Sequence, residues 1–166
     1  MGLYRIQNGA MPTTAKSVAV TTGTSIKTML QIKPFNVVKI VEWGISFDGS
    51  SAGTPIVCEL LDTSTVNATV TASVDADIFK FGGTNAAAAS VAGLTLATSG
   101  TGYTSSNEGS ITASRVYDLQ FVPPSGGYVK QFPLGREPVI EIANIARIRV
   151  HAPTAVNCYC YLVLEI

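Results

Sequence analysis

VEWGISFDGSSAGTPIVCELL, residues 41–61, holds two apolar runs with the alternating pattern of β-strands, broken at Asp48-Gly49-Ser50-Ser51. Trp43, the only tryptophan, lies in the first run. The break is either a tight connection between two buried strands or a loop that holds a ligand. Small residues around an Asp-Gly pair favour the turn. A tryptophan inside an alternating strand is a core residue before it is a binding platform.

The same period of two runs through most of the chain. In CYCYLVLEI one face carries Cys158, Cys160, Leu162, Leu164 and Ile166, the other Tyr159, Tyr161, Val163 and Glu165. Both are largely apolar, so this strand is expected to be central, or to lie at a subunit contact. ARIRVHA places Ile148 and Val150 inward, with Arg147, Arg149 and His151 outward. SIKTMLQIK sets Ile26, Thr28, Leu30 and Ile32 against Lys27, Met29, Gln31 and Lys33. NVVKIVEWGISF sets Val38 and Ile40 against Val37, Val41, Trp43, Ile45 and Phe47. Further strands are expected at 55–62, 66–73, 109–114, 116–122, 127–132 and 138–142, separated by Pro- and Gly-rich turns. The expected fold is all-β, an antiparallel β-sandwich. The number and length of strands favour a jelly roll over an immunoglobulin-like domain, whose Cys-Trp-Cys order is absent.

Two segments depart from the pattern. Residues 1–23, polar and Thr-rich, read as an N-terminal arm, leaving 24–166 as one domain. Residues 74–107 form a Gly/Ala/Ser/Thr-rich insertion, with a helical turn expected at Asp75–Phe79, a stop at Gly82-Gly83, and a second short helix from Asn85 to Gly93.

Eleven basic residues balance eleven acidic ones, and only 13% of residues are charged, against about 25% in a typical domain. No basic face for nucleic acid is expected. No run reaches the roughly 18–20 apolar residues of a membrane span, and no signal peptide is expected. So little charge on a soluble chain implies that partner subunits cover much of its surface. Cys58, Cys158 and Cys160 are expected as buried, reduced thiols, because C-x-C has the wrong spacing for zinc or a redox pair.

No residue set supports catalysis. The single His151 has no second histidine for a metal or a nucleophilic triad. Asp75 and Asp77 fall short of the six to eight oxygen ligands of a calcium site, and GGTNAAAASVAG lacks the Gly-Lys-Ser/Thr of a phosphate loop. The expectation is no catalytic, cofactor-binding or metal residue, and no enzyme.

Three stretches carry a resemblance. VVKIVEWGISFDGSSAGTPIVCELL (37–61), EGSITASRVYDLQFVPPSGGYVKQFPLGREP (108–138) and IRVHAPTAVNCYCYLVLE (148–165) resemble, in the same order, segments of small structural proteins encoded near the capsid genes of tailed phages and prophages. The resemblance covers roughly residues 25–166 and is least around 74–100. Such proteins look like capsid decoration, or cement, proteins, often jelly rolls bound as trimers at three-fold and quasi-three-fold positions. It implies a structural virion protein on the outer capsid surface, made in the bacterial host cytoplasm. Its partners would be the major capsid protein and two further copies of itself. Tyr4, Arg5 and Ile6 are then candidate capsid contacts at the tip of the arm. Arg136, Glu137, Tyr159 and Tyr161 are candidate subunit contacts. The alternative is a carbohydrate-binding jelly-roll module of a tail fibre or host-recognition complex.

Overall fold

The computed structural model describes residues 2–82 and 92–166. Within them, the strands are β1 (Leu3–Gln7), β2 (Val20–Thr21), β3 (Lys27–Ile32), β4 (Val38–Phe47), β5 (Ile56–Asp62), β6 (Thr69–Ala72), β7 (Ile78–Lys80), β8 (Gly102–Asn107), β9 (Arg115–Val122), β10 (Gly127–Gln131), β11 (Val139–Ile140), β12 (Ala146–His151) and β13 (Asn157–Glu165). They build an all-β sandwich of two antiparallel sheets. Sheet I runs β10-β4-β13-β1-β7, with β11 beside β4 and β2 beside β13; sheet II runs β6-β8-β3-β12-β5-β9. Consecutive strands cross between sheets at β2–β3, β3–β4, β4–β5, β6–β7, β7–β8, β9–β10, β11–β12 and β12–β13, so the chain closes both sheets around one apolar core.

Residues 48–53 are such a crossing, as their small side chains predict. The Asp48 carboxylate accepts hydrogen bonds from Asn157 N (3.1 Å) and Nδ2 (3.0 Å), and Gly49 N donates to Pro124 O at 2.7 Å. A Cβ at Gly49 would meet Val156 Cγ1 at 2.6 Å, so only glycine lets the loop lie this close.

The face assignment of 37–47 needs a correction. Val38, Ile40, Trp43, Ile45 and Phe47 are all buried in the same core. On β13, Val163 pairs with Glu42 and Leu164 with Ile40, leaving Val41 as an unpaired extra residue. This bulge shifts the alternation by one, so residues read as opposite faces share one.

Arg147 is a second correction. It was expected to face solvent, yet it is fully buried. It does lie on the side of β12 away from the core, but there residues 66–68 and 108 cover the sheet. Its Nη1 donates to Glu108 O (3.0 Å) and Oε2 (3.2 Å), and its Nη2 donates to Val66 O. Beside it, buried Gln31 donates to Gly100 O (2.6 Å) and accepts from Ala68 N (2.8 Å). Glu108 also accepts from Thr28 N and Thr28 Oγ1, both at 2.6 Å.

That pinning explains why 109–114 is no strand. Gly109 turns the chain at φ +72°, where a Cβ would lie 2.6 Å from Asn67 O. The strand here is instead Gly102–Asn107, paired with β3 and β6. Asp75–Asp77 form one 3₁₀ turn, and β7 follows at once. The helix expected from Asn85 to Gly93 lies outside the described residues but for its end.

The N-terminal segment also differs from the expected arm. β1 sits inside sheet I between β13 and β7. The polar Asn8 continues its ladder with side-chain groups: Nδ2 donates to Cys158 O (3.0 Å) and Oδ1 accepts from Cys160 N (2.8 Å). Buried amides that take the place of backbone partners have their desolvation offset by the hydrogen bonds they make, which is how polar sequence becomes sheet interior here.

Candidate interaction surface

Alternation along β1 sends Tyr4 and Ile6 into the core and Arg5 outward. Tyr4 and Ile6 are therefore not the exposed anchors expected of an arm tip. Arg5 meets two other residues singled out in the sequence. Its Nη2 donates to Tyr159 Oη at 2.7 Å, and its guanidinium carbon lies 4.1 Å from the centre of the Tyr161 ring. Tyr159 Oη donates to Gln7 Oε1 (2.8 Å) and Tyr161 Oη to Glu42 Oε1 (2.6 Å). Gly44 makes room for this cluster: a Cβ there would stand 2.5 Å from Tyr161 Cε1. Burial, then the bond to Glu42, pushes the Tyr161 hydroxyl up to about 12. It stays protonated and donating at neutral pH.

Arg136 and Glu137 lie elsewhere, in the loop between β10 and β11. Glu137 Oε2 accepts from Gly135 N at 2.7 Å, while Arg136 is exposed. No ion pair joins the two among the described residues.

Sequence reasoning missed the apolar rims of both sheets. On sheet I, Phe79 and Phe81 pack edge to face at 5.5 Å beside exposed Leu3. The alternating IFKF at 78–81 was the available signal. On sheet II, the rows His151–Val57–Phe121 and Arg149–Glu59–Leu119 cross three strands. Phe121 is 69% exposed, Leu119 and Val116 are exposed, and Arg149 is bonded to Glu59 at 2.7 Å. Exposed apolar side chains grouped in this way are a common feature of interaction surfaces.

A buried polar group closes the sandwich where β9 passes to β10. Asp118 accepts from Trp43 Nε1 (3.1 Å), Tyr128 Oη (3.0 Å) and Gln120 Nε2 (3.1 Å), and faces Lys130 Nζ at 3.3 Å. Burial raises its carboxyl, but the bonds from Gln120, Tyr128 and Lys130 outweigh that and hold it below the ordinary range. The unfolded chain, titrating near about 3.9, binds this proton first. The stabilisation is complete above that value and is lost as pH falls toward the folded one. Asp118→Asn is expected to flatten the acid limb of the stability–pH curve, measured by urea unfolding. An unchanged acid limb would remove Asp118 from that role.

All three cysteines are free and buried. Burial pushes the Cys58 and Cys160 thiols well above their usual range, which leaves no reactive thiolate at neutral pH. His151 is exposed, and among the described residues no group of three or more His, Cys, Asp and Glu is placed to hold a metal ion. Comparison with known proteins gives no match to a family model, a curated protein or a solved structure.

Proposed function

We propose that this chain is a structural protein of the virion exterior: a jelly-roll decoration protein that binds the major capsid protein of a tailed phage as a homotrimer. The observation that carries the reading is the surface. A chain of zero net charge exposes Val116, Leu119 and Phe121 together on the outer side of one sheet. A soluble protein keeps such a patch when a partner covers it. The task needs fixed shape and area rather than shifted acid–base groups, and the role is non-catalytic. The capsid contact assigned to this protein is the β9 side of sheet II, replacing the arm tip.

The carbohydrate-module reading has less support. A sugar ring stacks on an open aromatic face, yet Trp43 is fully buried and the Tyr161 ring is flanked by Arg5 and the Gly44 backbone; exposed Phe79, Phe81 and Phe121 belong to the apolar rims.

Undecorated shells mixed with the protein and imaged by electron cryomicroscopy are expected to gain density at three-fold and quasi-three-fold positions. Phe121→Asp should cut occupancy at limiting concentration at least about tenfold, a loss of about 1.4 kcal/mol. Bare shells after saturating addition of the wild type would defeat the proposal.

A further inference from the structure

The loop between β10 and β11 carries the most exposed large apolar side chain described, Leu134, at 92%. Its shape is fixed. Phe132 N donates to Val41 O (2.8 Å) and Ile40 N to Pro138 O (2.9 Å), tying both ends of the loop to β4. Between them Pro133–Arg136 form a turn closed by Arg136 N on Pro133 O at 2.9 Å. Gly135, at φ +81°, supplies the positive φ that a type II turn requires at its third residue, placing Leu134 at the tip. Glu137 braces the turn through Gly135 N. A backbone already fixed in its turn leaves only the side-chain rotamers to be ordered on binding.

At the opposite edge of the same sheet lies a shallow, open hollow of about 560 Å³, lined by Gly2, Leu3, Lys80, Phe81, Gly82 and Glu165. Leu3 and Phe81, both exposed, give it an apolar wall. The register places knob and hollow at one level along the strands. Val139, directly after the loop, pairs with Lys39; Lys39 pairs with Glu165; Glu165 pairs with Leu3; and Phe81 N bonds Leu3 O at 2.9 Å. Charges match as well. The loop offers Arg136 and Glu137, and the hollow offers Glu165 and Lys80, with no ion pair to Lys80 among the described residues. Glu165 already faces Lys39 at 3.4 Å, and a carboxylate has capacity for a second cation.

We propose that Leu134 of one copy of this chain inserts into the Leu3–Phe81 hollow of the next, with Arg136 set against Glu165. Knob and hollow are different surfaces, so the contact is head-to-tail: each copy gives one knob and receives one. Such contacts close into rings when the rotation between copies fits, and otherwise run on as filaments. Only the ring size of three rests on the function proposed above. The contact itself does not.

Two measurements on the full chain test it. In sedimentation velocity the wild type is expected to be oligomeric at micromolar concentration. Leu134→Asp should raise the dissociation constant at least about thirtyfold, as loss of a central interface anchor does. Because Leu134 is solvent-exposed in the single chain, its circular dichroism should not change. Second, Leu134→Cys and Leu3→Cys variants are exposed to an oxidant each alone and, in a further sample, after mixing; the native thiols are buried and do not compete. The mixture should give a disulfide dimer on a non-reducing gel and neither variant alone should. A monomeric wild type, an oligomer indifferent to Leu134→Asp, or no dimer in the mixture would each overturn the contact. Shell occupancy by the wild type is judged separately, so failure of this contact and failure of the decoration reading are distinguishable.

Discussion

Trp43→Ala is expected to lower folding stability by about 3–5 kcal/mol, the range for truncating a large core aromatic. Trp43 is fully buried in β4, paired with Leu162 and Lys130 across its two neighbours, and its ring lies 5.4 Å from that of Tyr128. Alanine leaves a void that two hydrogen-bonded sheets cannot close by collapse. It also removes the indole donor from Asp118, leaving that carboxylate with Tyr128, Gln120 and Lys130. Trp43→Phe separates the two effects. It keeps most of the volume while removing the donor, and is expected to cost about 1–2 kcal/mol. Urea unfolding followed by far-ultraviolet circular dichroism reads both variants. A loss below about 1 kcal/mol for Trp43→Ala would mean that the tryptophan is not in the core.

The second large effect is expected at Glu108→Ala, at about 3 kcal/mol, the low end of the range for breaking a buried ion pair. Arg147 keeps its carbonyl partners at Glu108 and Val66 but loses its counter-charge, and its Nε is already a buried group without a hydrogen-bond partner. Thr28 N and Oγ1 lose an acceptor in the same step. The low end applies because the Glu108 side chain is 23% exposed, so water reaches part of the vacated site. Arg147→Met combined with Glu108→Gln removes both charges and keeps volume, and should recover much of the loss. A double-mutant cycle built from Glu108→Gln, Arg147→Met and the two together measures this. Additive single and double effects would show that the pair is not coupled.

The class of fold follows from short-range sequence. Alternation, turn residues and β-branched content mark Val38–Phe47, Ile56–Asp62, Ala146–His151 and Asn157–Glu165 as strands, and the Asp48–Gly49 break as a crossing. These depend on steric and hydrophobic preferences of neighbours along the chain, which a sequence displays directly. Burial of Trp43 followed from the same pattern, and that of the three cysteines from their number and spacing.

Tertiary structure alone decided what depends on a partner far along the chain. The bulge at Val41 exists only in register with β13, so the face reading of 37–47 failed there. Arg147 is charged, which in a sequence means solvent; it is buried because Glu108 and Val66, distant in sequence, cover it and complete its bonds. Residues 3–8 looked like a polar tail because their partners lie at the other end of the chain: Tyr161–Glu165 pair with residues 3–7, and Cys158 and Cys160 bond the Asn8 amide. Of the candidate contact residues, Arg5, Tyr159 and Tyr161 meet on one sheet face, Tyr4 and Ile6 turn inward, and Arg136 and Glu137 stand apart. Local pattern gives each residue its preference for strand or turn; pairing across the sheets decides which face it occupies and whether its charge meets water.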